Sequence, residues 1–256
     1  MVEALLSVDS ISVRFGGIVA LDDVSFEVAE SEICGLIGPN GAGKTTLFNC
    51  LSNIYRPQGG SIRFGATDLS GIPPEGIARI GIGRTFQNLA LFSNMSVREN
   101  VATGGHCRTR AGFLDDAFRL PWVWREESSL QRRVEEILTF LDLLTVAERR
   151  VGDLPFSVQK RVDLGRALAT EPRILLLDEP AAGLNHEEVD TLRSMIRALR
   201  DRRGKTVLLV EHHMNLVMSV SDHVVALDFG RKIADGSPHQ VQSHPDVVRA
   251  YLGTAA

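Results

Sequence analysis

One stretch constrains this chain more than any other. Gly38-Pro39-Asn40-Gly41-Ala42-Gly43-Lys44-Thr45-Thr46 fits the pattern G-x-x-x-x-G-K-[ST]. It also stands in the setting that pattern requires. The short apolar run Ile33-Cys34-Gly35-Leu36-Ile37 before it reads as a buried parallel strand. The run Thr45 to Leu51 after it reads as a helix with positions 47, 48 and 51 on one face. Glycines at 38, 41 and 43 let successive N–H groups turn inward on a phosphate, and the helix N-terminus adds partial positive charge. In such a loop Asn40, Ala42 and Thr46 contribute backbone around the phosphates. Lys44 reaches the β- and γ-phosphates, and the Thr45 hydroxyl suits Mg²⁺.

A chain built on this loop must supply acids at the same sheet edge, and two later runs do so. Ile174-Leu175-Leu176-Leu177 reads as a buried strand, expected beside the phosphate-loop strand, ending in Asp178-Glu179-Pro180. Asp178 is placed to hold Mg²⁺ through water and Glu179 to polarise an attacking water. A further parallel strand, Thr206 to Val210, ends in Glu211-His212-His213, and by the same edge rule one histidine should face the γ-phosphate.

Other segments organise around that core. Ser10 to Phe15 alternates, with Ile11, Val13 and Phe15 on one face, and Val24 to Val28 alternates again, so two strands precede the loop. Phe15 is either a core aromatic or a ring stacking on a base, and periodicity favours the core because strand aromatics usually pack. Ser61 to Phe64 reads as a strand, and Pro73-Pro74-Glu75 opens a short helix. Ile80 to Gln87 reads as an apolar strand with a polar end. Gln87 is able to give an amide oxygen to Mg²⁺ or water, although taken alone a glutamine there is more often a solvated loop residue. Residues 88–165 have a different texture: positions 130, 134, 137, 138 and 141 line one helical face, and Trp122 and Trp124 read either as an exposed contact surface or, slightly favoured, as the insert's own core. Val224 to Leu227 and Lys232 to Ala234 flank a closing hairpin, and the tail from His239 to Leu252 reads as helical, with Val247, Val248 and Tyr251 packing.

Composition narrows the partners. With 44% hydrophobic and 23% charged residues the chain is globular, and a net charge of −4 leaves no electrostatic footprint for nucleic acid. Cys34, Cys50 and Cys107 are too widely spaced for a metal or redox motif and read as reduced thiols, which suits the cytoplasm. No run is long and apolar enough to span a bilayer, and the opening residues carry no signal pattern, so any membrane role is expected to be peripheral.

Together these elements resemble the ATP-binding subunit of an ABC transporter over nearly the whole chain. The resemblance implies an α/β fold: a P-loop NTPase core with mixed sheet, an N-terminal antiparallel β subdomain and an inserted α-helical signature subdomain. It implies one ATP-binding domain over 1–256, with 1–87 and 166–256 forming the core and 88–165 the helical insert. It assigns Phe15 to adenine stacking, Gln87 to sensing Mg²⁺ and the membrane subunit, and His212 to the γ-phosphate. Ala182-Gly183-Leu184-Asn185 matches the dimer-contact loop, with Asn185 where aspartate is commoner. The signature Leu-Ser-Gly-Gly-Gln maps onto Leu154-Pro155-Phe156-Ser157-Val158, so Ser157 stands where glycine is usual and adds bulk at the closest approach to the partner's ATP.

The 81–88 segment, the Ala181 to Asn185 loop and the ending Pro245 to Gly253 are similar to the branched-chain amino acid importer branch. That branch implies ATP and Mg²⁺, integral-membrane permease subunits, a second ATP-binding subunit, a solute-binding protein, and a place on the cytoplasmic face of the membrane. Urea, amides or lipid export are the alternative cargoes, and a regulatory subunit with weak hydrolysis is the alternative role raised by Ser157. Other nucleotide-binding classes fit less well. DNA-repair relatives insert long coiled coils between phosphate loop and signature, translation relatives carry two cassettes, and GTPases carry an Asn-Lys-x-Asp motif missing here. A small-molecule kinase of this type would need neither signature helix nor histidine.

Overall fold

The computed structural model describes residues 4–86, 89–108 and 121–252. The chain falls into two compact units, 1–77 with 174–256 and 78–173, so the insert takes in residues on both sides of the expected 88–165.

The first unit holds two sheets. Strands β1 (Ala4–Phe15), β2 (Ile18–Ala29), β4 (Gly59–Phe64) and β5 (Thr67–Asp68) form an antiparallel sheet in the order β2-β1-β4-β5. Alternation drives it: Ile11, Val13, Val24, Phe26 and Val28 are buried on its inner face. Phe15 departs from that pattern. It ends β1 with 46% of its surface exposed, against the core position its periodicity favours; Arg14 before it is exposed too, so burial along the strand stops at Val13.

The second sheet carries the phosphate loop. In this unit it runs β10-β9-β3-β8-β7, from strands β3 (Ile33–Ile37), β7 (Ile174–Asp178), β8 (Thr206–Val210), β9 (His223–Asp228) and β10 (Arg231–Gly236). Strands β3, β7 and β8 are buried at every position, as continuous apolar runs between two covered faces require. The carboxylate strand β7 is not beside β3 as expected; β8 lies between them, pairing parallel with both. Sequence cannot order strands that are equally apolar, and here the histidine strand takes the inner place. Helix α1 (Lys44–Leu51) follows the loop and buries Leu47, Phe48 and Leu51 completely. Strands β9 and β10 pair antiparallel as the expected hairpin. The tail forms two short helices after it, α8 (Pro238–Gln242) and α9 (Pro245–Leu252), because Pro245 starts a new helix. Val247 is buried there, but Val248 and Tyr251 are 41% and 37% exposed, so the apolar face is narrower than expected.

The second unit is largely helical. After α2 (Ile77–Ile80) and β6 (Ile82–Arg84) come α3 (Val97–Gly105), α4 (Pro121–Phe140) and α5 (Phe156–Ala169). Val134, Ile137, Leu138 and Leu141 are buried with Val97, Val101 and Val162, so four of the five periodic positions form this unit's core, while Leu130 is only half-buried. Trp122 and Trp124 sit in α4, with side chains outside the described residues. Asp163 of α5 is 3% exposed; it accepts the Phe86 N–H at 3.3 Å and pairs with Arg166 at 2.7 Å. Desolvation raises its pKa above the usual carboxylate value, partly opposed by Arg166. The α6 helix (His186–Asp201) and α7 (Met214–Val220) belong to the first unit. Among the described residues no helix is long and apolar enough to cross a membrane.

Candidate active site

The loop between β3 and α1 is shaped by two glycines. Gly38 has φ +154°, and a Cβ there would lie 2.3 Å from the Leu227 carbonyl oxygen; Gly43 has φ +101°, and its Cβ would lie 2.6 Å from the Ala20 carbonyl oxygen. Any side chain would push the loop off the sheet. Lys44 is 8% exposed and donates to the Gly38 and Pro39 carbonyls at 2.6 and 3.0 Å, so the ammonium is folded back over its own loop. Burial lowers its pKa, while the charges of Glu179 and Asp178 push it back up. In register, Leu36 of β3 and Asp178 of β7 both stand level with Val210 of β8, so the loop, the two acids and the histidine leave the sheet at one edge. Thr45 is exposed at the start of α1.

Parallel pairing of β7 with β8 brings the acids and the histidine together. Asp178 stands opposite Val210, and the Glu179 N–H donates to the Val210 carbonyl at 2.9 Å, so both strands end level. Asp178 is 6% exposed. Glu179 has φ +47°, an uncommon conformation for a residue with a side chain and one that costs about 1–3 kcal/mol. The turn thereby aims its carboxylate at the edge, where Oε1 lies 3.7 Å from Nδ1 of His212. The His212 ring stacks obliquely on His213 at 5.1 Å.

Beyond Pro180 the loop 182–185 leads into α6. Asn185 is the N-cap of that helix: its side chain accepts the Glu188 N–H at 3.0 Å, and Glu188 accepts the Asn185 N–H at 2.9 Å. Asparagine serves that cap as well as aspartate does. Gly183 turns the loop with φ +79°.

The remaining predicted residues are placed as follows. Phe15 presents an exposed ring edge-on to Tyr55, 5.2 Å between centroids. In the second unit Leu154 is buried, Phe156 is 48% exposed, and Pro155 is the N-cap of α5. Val158 and Ser157 both lie in the first turn of α5. Ser157 is not among the residues with positive φ, so its backbone does not require glycine. Gln87 lies outside the described residues. Sequence reasoning gave no role at this edge to Glu211 and read Tyr251 only as packing, yet both bond to backbone there. Glu211 is fully buried and bound to three backbone N–H groups, and its one signal was an acid directly after an apolar strand. Tyr251 accepts the Gly38 N–H at 2.8 Å, and its signal was a position one turn beyond the buried Val247.

A glycine-turned G-x-x-x-x-G-K-[ST] loop between strand and helix, with two carboxylates and a histidine at the same sheet edge, defines a P-loop nucleoside triphosphatase fold. Relatives sharpen that class. A family model described as ABC transporter matches residues 21–182, and one described as branched-chain amino acid ATP-binding cassette transporter matches residues 231–256. The chain is 44% identical over 255 residues, covering 100% of both sequences, to the high-affinity branched-chain amino acid transport ATP-binding protein BraF of Pseudomonas aeruginosa. To the protein LivG of Escherichia coli, described in the same words, it is 43% identical, again over the full length of both. A crystal structure of the ADP conformation of an ATP-binding cassette superposes with a TM-score of 0.84 at 32% identity, covering 98% of this chain and 99% of that one. The chain belongs to the ABC transporter family, as an ATP-hydrolysing subunit.

Proposed function

We propose that this chain hydrolyses ATP to drive import of branched-chain amino acids, working as one of two ATP-binding subunits beneath a membrane permease on the cytoplasmic face. The cargo assignment rests on full-length similarity to BraF and LivG and on the tail match over residues 231–256. The observation that carries the chemistry is that the loop bearing Lys44 and the residues Asp178, Glu179 and His212 leave the sheet at one edge.

The roles follow from the groups. Backbone N–H groups after Pro39 cradle the phosphates, with Asn40, Gly41, Ala42, Gly43 and Thr46 forming the curve that Gly38 opens, and Lys44 neutralises the β- and γ-phosphates. The exposed Phe15 ring supplies a face for adenine. Thr45 and Asp178 are hard oxygen donors that fit Mg²⁺, with Gln87 as a further ligand. Bound there, the ion would offset charge on the phosphates. Glu179 orients the attacking water and takes its proton, and His212 donates to the γ-phosphate oxygens.

Each site closes against the signature of the partner subunit, so Leu154, Pro155, Phe156, Ser157 and Val158 of this chain serve the partner's ATP, while Ala182 to Asn185 meet the partner. Closure and release would switch the permease, which docks beside Gln87, and a solute-binding protein delivers the cargo.

The test is Glu179→Gln in the assembled transporter. Loss of a positioned base costs about 10²–10⁴-fold in hydrolysis while ATP binding persists. Unchanged turnover would remove Glu179 from its role. Cargo is tested separately, by whether leucine, isoleucine or valine stimulates hydrolysis in the reconstituted complex.

A further inference from the structure

We infer that Glu211 is a positioning residue that locks the histidine-bearing strand end to the loop entering the subunit contact, so that Glu179, His212 and residues 182–185 move as one piece. Glu211 follows the last residue of β8 and is 0% exposed. Its Oε1 accepts the Ala181 N–H at 2.6 Å, and its Oε2 accepts the N–H groups of His212 and His213 at 3.2 and 3.4 Å. A carboxylate is costly to bury, and these charge-assisted bonds to backbone N–H groups offset that cost.

The three donors belong to two different chain segments. Ala181, itself fully buried, stands between Glu179 and the 182–185 loop, while His212 and His213 continue from β8. Beside this bond the Glu179 N–H donates to Val210 and the Ala182 N–H donates to the Glu179 carbonyl. Residues 179 and 181 are thus fastened to 210 and 211 in consecutive rungs. Only the second rung depends on a side chain. The left-handed turn at Glu179 persists only if its surroundings hold it, and the Glu211 carboxylate is the adjustable part of that hold. A shift of the 182–185 loop pulls on Ala181, and through one carboxylate on the backbone of His212. Although its ligand atoms and those of His212 and His213 lie within 4.8 Å of one another, the Glu211 oxygens are turned to N–H groups, so the cluster is built as an anchor rather than a metal cage.

This inference rests on the assignment of Glu179 and His212 to hydrolysis. The experiment measures kcat and KM for ATP in the assembled transporter for Glu211→Gln, Glu211→Ala, His212→Ala and the double variant Glu211→Ala/His212→Ala. Displacing the reacting groups by an ångström costs about 10²-fold, so Glu211→Ala should lose kcat on that scale while KM changes by no more than about threefold. Glu211→Gln keeps an acceptor for Ala181 but turns an NH₂ toward two donors, and should lose about tenfold or less. The double variant should lose clearly less than the product of the two single losses, because part of the anchor's effect passes through that histidine. Additive losses, or a Glu211→Ala enzyme with parental kcat, overturn the inference. Should the alanine variant fail to fold, Glu211→Gln paired with His212→Ala carries the same cycle. A His212→Ala enzyme that hydrolyses ATP normally would instead overturn the assignment of the site.

Discussion

Removing a single oxygen from Tyr251 tests whether the C-terminal helix is part of the phosphate loop's support. The Tyr251 hydroxyl accepts the N–H of Gly38 at 2.8 Å, and Gly38 is buried against the Leu227 carbonyl with no room to turn. Phenylalanine keeps the ring and deletes only the acceptor, leaving a buried N–H unpaired, which costs about 1–3 kcal/mol. Tyr251 is 37% exposed, so water reaches part of this contact and the low end, about 1–1.5 kcal/mol, is expected. A chain of this size loses roughly 2–4 °C of melting temperature per kcal/mol, so Tyr251→Phe should melt about 2–6 °C lower. Burial raises the phenol's pKa, so the hydroxyl keeps its proton at neutral pH and accepts through a lone pair. Thermal denaturation of the purified chain, with and without ATP, reads the effect. ATP binding to the native state should raise both melting temperatures, and the gap between them should persist if the affinity is unchanged. A melting temperature within about 1 °C of the parent would show that solvent satisfies Gly38 and that the tail does not brace the loop.

Two other perturbations check separate parts of the reasoning. Ser157→Gly should leave hydrolysis by the complex equal or higher and cost this chain about 0.5 kcal/mol through helix propensity, read from thermal melts and ATPase rates; a large loss of activity would mean that the hydroxyl is required. His223 offers a pH test. Its Nε2 lies 2.5 Å from Asp235, and this hydrogen bond raises the histidine pKa above 6.5 and lowers that of Asp235 below 3.8, with burial opposing both shifts; Glu32 faces the other ring nitrogen at 3.7 Å, and the Lys232 charge opposes protonation. A raised histidine stabilises below its unfolded pKa and loses that contribution as pH rises through the folded one, whereas the lowered aspartate loses its share as pH falls. Their joint stabilisation therefore peaks between those two reference values. Melting temperature against pH should decline above pH 6.5 more steeply in the parent than in His223→Gln, and parallel curves would refute the pairing.

What the sequence disclosed follows from which interactions are local. The phosphate loop, the apolar strands and the helical face through Leu138 and Leu141 are written in short-range pattern, and the structure places each where that pattern requires. Strand order is not local. Strands β3, β7 and β8 are all buried throughout, so nothing in them says that β8 sits in the middle, although that position is what sets the strand before His212 directly beside the loop-bearing strand. Phe15 misled for a related reason: alternation tells which face a residue shares, but not where burial along the strand stops.

Ser157 shows a third limit. Whether glycine is needed at a position depends on its φ and on what approaches it, and sequence shows neither. The helical backbone at 157 removes the first need, leaving only the approach of the partner's ATP. Glu211 and Tyr251 lie at the far end of the same scale. Each acts on a backbone N–H distant in sequence, Ala181 and Gly38, so their roles exist only once the chain has folded. The groups proposed to react could therefore be read from motifs, whereas the side chains proposed to hold those groups in register could not. A variant screen restricted to the motifs would miss Glu211, which fastens two of them together.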